Sequence, residues 1–124
     1  MKPKKCISVE QARELQNHWV RSRGKEIERG QGYQDTREFW FSLDELQEYI
    51  NYVREESEKQ KVVNPGIRVY FGAYPPGKNN REKSYSTIFL APTKDVTNSP
   101  TTTENNYDIE PLNESSGGVP PTTY

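Results

Sequence analysis

The chain has one cysteine, one histidine and one methionine among 124 residues, and no long hydrophobic run. Each scarcity removes a class of function. A lone Cys6 can form neither an intrachain disulfide nor a cysteine metal cage, which fits a reducing compartment. A lone His18, on a helical stretch beside Trp19, leaves no histidine pair for metal binding or proton relay. No stretch approaches the roughly 18 apolar residues of a membrane helix. The start, Met1-Lys-Pro-Lys-Lys-Cys6, has the basic character of an export signal, but Glu10, Arg13 and Glu14 interrupt where its apolar run should follow. The expectation is a cytoplasmic protein with no membrane association, in which the Asn113-Glu114-Ser115 sequon is a chance match.

Charge is equally unassertive. The formal net charge is −1, with 17 basic and 18 acidic residues, far from the basic excess that marks nucleic-acid binding. The charges divide near Thr93: residues 94–124 carry Lys94 against Asp95, Glu104, Asp108, Glu110 and Glu114. That last quarter has nine Ser or Thr and four Pro against six hydrophobic residues, too little apolar surface to offset the entropy of ordering it. It reads as a disordered polar and acidic tail.

Residues 6–93 read as a single α+β domain. Ser8 and Gln11 have capping-box spacing, and Val9, Ala12, Leu15 and Trp19 follow at helical intervals, with Gly30-Gln-Gly32 as a stop. Thr36-Arg-Glu-Phe-Trp-Phe41 predicts a first strand. Ser42 and Glu45 predict a second helix cap, with Leu43, Leu46, Ile50 and Val53 as its buried stripe and Asn64-Pro65-Gly66 as its end. Ile67-Arg-Val-Tyr-Phe-Gly-Ala-Tyr74 alternates as a strand, and Ser84-Tyr-Ser-Thr-Ile-Phe-Leu-Ala91 predicts its hairpin partner. The order α-β-α-β-β implies a two-layer sandwich, two helices on a three-stranded mixed sheet. Phe39, Phe41, Ile67, Val69 and Phe71 would face the helices.

The block 67–74 with Thr87-Ile-Phe-Leu-Ala-Pro-Thr93, preceded by Ser42-Leu-Asp-Glu-Leu-Gln-Glu-Tyr-Ile50, resembles a family of small uncharacterised proteins from Bacteroidota-type bacteria. The resemblance implies a bacterial cytoplasmic origin and brings no activity, cofactor or site.

Candidate chemistry is sparse. Gly72-Ala-Tyr-Pro-Pro-Gly77-Lys78-Asn79 approaches a phosphate loop but has Asn where Ser or Thr would hold magnesium, and two prolines where amide donors are needed. Arg68-Val-Tyr-Phe-Gly-Ala-Tyr74 approaches an RNA-binding aromatic strand in the wrong register. Carboxylate pairs such as Asp44 and Glu45 suit a helix start. No catalytic residue, metal site or cofactor is expected. The remaining signal is an uncovered sheet face bearing Trp40, Arg68, Tyr70, Tyr74 and Tyr85, which reads as a non-enzymatic protein-interaction surface for a protein partner or a second copy. A second reading is nucleic-acid binding through the same rings with Arg68, Lys78, Arg81 and Lys83. A third is a small-molecule-binding protein or an enzyme of unknown type. In the tail, Tyr107-Asp-Ile-Glu-Pro-Leu112 is the one stretch with regularly spaced apolar anchors.

Overall fold

A computed structural model describes residues 1–77, 83–96 and 99–124, with side chains left aside for 99–101. The chain is α+β, in two compact units: residues 1–38 with 118–124, and residues 39–117. The described residues of 94–124 form ordered structure instead of the expected disordered tail.

The first unit begins with α1, Val9–Trp19. Its N-terminus is closed by the expected capping box: Ser8 Oγ accepts from Gln11 N at 3.0 Å, and Gln11 Oε1 accepts from Ser8 N at 2.9 Å. The helix then widens into a π-helical turn, Val20–Gly24, before α2, Lys25–Gln31. Gly24 makes room for the Trp19 ring, which a Cβ there would meet at 3.2 Å. Gly32 ends the rod at φ 80°, donating its N–H to Glu28 O at 2.8 Å, the left-handed stop that glycine adopts without steric cost. The C-terminal residues belong to this unit. Arg37 donates to Gln16 Oε1 and Thr123 Oγ1, Tyr124 N donates to Gln16 Oε1, and the Arg13 guanidinium lies 6.0 Å from the Tyr124 ring centre.

The second unit contains β1, Phe39–Trp40; α3, Leu43–Lys59; β2, Gly66–Ala73; β3, Ser86–Val96; β4, Ser99–Asn105; and β5, Ser116–Gly117. Strands β2, β3 and β4 form one antiparallel sheet in that order, and β1 pairs antiparallel with β5 in a separate ribbon. The mixed sheet expected from a parallel neighbour to β2 is therefore absent. The partners that complete both sheets, β4 and β5, lie in the segment expected to be disordered. Polarity misled there because β4, Ser-Pro-Thr-Thr-Thr-Glu-Asn, uses β-branched threonines on an edge strand, where little burial is needed.

Pro92 marks how that segment folds. It lies inside the central strand β3, where a missing N–H normally breaks a ladder. Asn106 N donates to Pro92 O at 2.9 Å, and then the chain leaves the sheet beside the proline's donorless nitrogen. It re-enters at Leu112, which exchanges both backbone hydrogen bonds with Leu90 at 2.8 and 3.0 Å. The excursion carries Ile109 into the core at 2% exposure, against Tyr49, Val53 and Leu90, with Phe41, Leu46 and Leu112 around them.

Ser42 caps α3, accepting from Glu45 N at 3.0 Å. The helix buries Tyr49, Val53 and Ser57, not the full stripe expected from Leu43, Leu46, Ile50 and Val53. Leu43 and Ile50 are exposed. Tyr49 fixes this rotation: its hydroxyl donates within reach of Leu90 O at 3.3 Å and Glu110 O at 2.9 Å, so the helix lies over β3 and the excursion. Burial pushes the Tyr49 hydroxyl up to about 12, with the neighbouring Tyr52 adding to the shift.

Candidate functional site

Strand β2 is an edge of its sheet. Tyr74 N donates to Tyr85 O, and Leu90 turns its own polar groups to Leu112, so residues 68, 70 and 72 bond to β3 while 67, 69, 71 and 73 point their N–H and C=O groups outward. The alternation expected of the side chains holds, but the burial expected from it does not. Val69 pairs with Leu90, which packs on α3, so Ile67, Val69 and Phe71 stand on the helix-bearing face. The helix covers β3 instead of β2. Ile67 is 38% exposed, Val69 63% and Phe71 86%; the expectation that these three are core residues is corrected. A hollow of about 200 Å³ between Ile50, Val53, Arg54, Pro65, Gly66 and Ile67 extends this apolar surface onto α3.

The opposite face is the more occupied one. Tyr70 stacks on Phe89 with centroids 5.2 Å apart, and its hydroxyl accepts from Asn105 Nδ2 at 2.8 Å. Arg68 donates to Asn105 Oδ1 and to Thr103 O, each at 2.9 Å. Both long side chains lean inward over β3 to β4. The Asn105 hydrogen bond, with help from Arg68, holds the Tyr70 hydroxyl below its ordinary value by favouring the phenolate. Tyr70, Phe89, Ala91, Asn105, Tyr107 and Pro111 line an open hollow of about 360 Å³ where β4 leaves the sheet.

Of the five residues expected to share an open face, Arg68, Tyr70, Tyr74 and Tyr85 share one side of the sheet, but each is half-buried there, and Trp40 lies elsewhere. Arg68 and Tyr70 are joined through Asn105. Tyr74 is half-buried, its hydroxyl donating to Asn113 Oδ1 at 3.0 Å, and Tyr85 is half-buried beside it. Trp40, 60% exposed, stands on the β1–β5 ribbon. Of the cations offered for nucleic acid, Lys78 and Arg81 lie outside the described residues, and Lys83 is exposed. His18 is exposed in the last turn of α1, and no cluster of metal-ligating side chains occurs among the described residues. Among them, too, no helix is long and apolar enough to cross a membrane.

Sequence reading missed Asn105 and Asn113, and it left Ile109, an anchor of the one apolar stretch it named there, in a tail expected to be disordered. The spacing of Tyr107, Ile109 and Leu112 was the available signal; two of its anchors dock on this chain's own sheet. No family model, no curated protein and no solved structure matches the chain.

Proposed function

We propose that this chain is a non-enzymatic protein-interaction module that binds by strand addition, taking an extended segment of a protein partner onto the outer edge of β2. The observation that carries this reading is the exposure of Phe71, at 86%, on an edge strand whose outward backbone polar groups are those of Ile67, Val69, Phe71 and Ala73. Edge strands normally carry lysine, proline or a bulge that discourages pairing. β2 runs Gly-Ile-Arg-Val-Tyr-Phe-Gly-Ala with none of these, and its one charge, Arg68, is engaged with β4. Backbone hydrogen bonds would supply affinity and the row Ile67, Val69, Phe71 selectivity, since alternate side chains of an added strand fall on that side. The nucleic-acid reading has less support, because Arg68 and Tyr70 are turned toward Asn105 and away from the edge.

Selection from a displayed library of random peptides about a dozen residues long tests the proposal. Peptides with alternating β-branched and aromatic residues should be enriched, and Phe71→Lys should weaken them at least about tenfold, as loss of a central apolar anchor does. Selected peptides that bind Phe71→Lys as well as the unaltered chain would refute it, and so would a selection that yields none.

A further inference from the structure

Building on strand addition at β2, we propose that the strand taken up is β2 of a second copy of this chain, antiparallel about a two-fold axis beside Tyr70. The edge is self-complementary, as a two-fold contact requires. In such a pairing the outward residues 67, 69, 71 and 73 must meet one another, and this leaves few registers. An axis at Arg68 would set two guanidinium groups directly opposite each other. An axis at Val69 would set Ala73 against Pro65, which has no N–H to donate. An axis at Ile67 or Phe71 would leave part of the strand unpaired.

Only the axis at Tyr70 uses all four outward residues of β2. Val69 then stands opposite Phe71 of the second copy, and Ile67 opposite its Ala73. About eight backbone hydrogen bonds form, two for each such pair. The Ile67, Val69 and Phe71 side chains of both copies close into one apolar stripe, so that each Phe71, now 86% exposed, gains a Val69 neighbour. Arg68 falls opposite Gly72, which has neither charge nor bulk. No like charges meet along the strand. Because Arg68 and Tyr70 lean toward β4, the approach to the edge is clear on that face as well.

Cysteine pairing reads the register directly. In a Cys6→Ser background, Val69→Cys and Phe71→Cys are both exposed changes, and residues directly opposite in such a pair lie about 5.5 Å apart, within disulfide span. Under mild oxidation a mixture of the two variants should give covalent dimer, while either alone should give little. The same residue on the two copies is then a diagonal neighbour at roughly 7–8 Å, too far to bridge. Sedimentation of the unaltered full-length chain over a concentration series should show dimer, and Phe71→Lys should show monomer. Covalent dimer from Val69→Cys alone, a monomer at every concentration, or a dimer unaffected by Phe71→Lys would each overturn the proposal. A monomeric chain that still binds selected peptides through Phe71 would leave strand addition standing and remove only the second copy. Loss of both behaviours would remove both.

Discussion

Ile109→Ala is the sharpest perturbation of this fold, because it acts on a segment whose composition predicts disorder. Ile109 is 2% exposed and packs with Tyr49, Val53 and Leu90, which are themselves buried. Truncation removes three carbons, worth about 2.4 kcal/mol at roughly 0.8 kcal/mol for each buried group. A cavity term of about 1 kcal/mol adds to this, since the excursion is held at Asn106 and Leu112 by backbone bonds to β3 and cannot collapse freely. The expected loss is about 3 kcal/mol. In urea, with a slope of about 1.5 kcal/mol/M, the midpoint should fall by about 2 M. Leu43→Ala, on the exposed side of α3, serves as the comparison and should change stability by less than about 0.5 kcal/mol. If Ile109→Ala behaves like Leu43→Ala, residues 107–111 do not form part of the core and the account given for Pro92 and Leu112 fails with it.

Two further outcomes follow from the titrating groups. The folded-state Tyr49 hydroxyl, at about 12, lies above its unfolded value near 10, so its contribution to stability is complete below pH 10 and is lost as pH rises through 12. Tyr49→Phe should flatten that alkaline slope in urea titrations, and an unchanged slope would show that another group is responsible. Asn105→Leu removes the main hydrogen bond that favours the Tyr70 phenolate, so the Tyr70 hydroxyl should titrate at higher pH in carbon NMR of its ring; no upward movement would refute the assigned cause.

Local elements were legible in the sequence because their signals are local. Ser8 with Gln11, Ser42 before α3, Gly32 at the left-handed stop and the alternation of 67–73 each act within a few residues, and each is where its chemistry demands. Topology was not legible from the same evidence. A first strand, a helix and a second strand suggest a parallel pair, but Phe39 and Trp40 find Gly117 and Ser116, more than 70 residues away, and no residue near Trp40 announces them. Composition misread the C-terminus for a physical reason. The order of its stretch up to Leu112 requires only a few deep anchors, because β4, Asn106 and Leu112 bond through their backbones to β3, and Ile109 and Leu112 supply apolar contact enough to hold the excursion in place.

The candidate surface shows the same division between pattern and context. Period-two alternation separates Ile67, Val69 and Phe71 from Arg68, Tyr70 and Gly72, but it cannot say which set is covered, since cover depends on where α3 lies across the sheet. That placement is decided by Tyr49, whose hydroxyl requires carbonyl partners when buried and finds them at Leu90 and Glu110. A helix so anchored over β3 cannot also cover β2. The aliphatic row that a sequence reader assigns to the interior is thereby left at the edge, while the tyrosine face, assigned to solvent, is engaged through Asn105 and Asn113. Exposure of Phe71 is thus a consequence of satisfying Tyr49, and a partner strand is what would return that apolar surface to an interior.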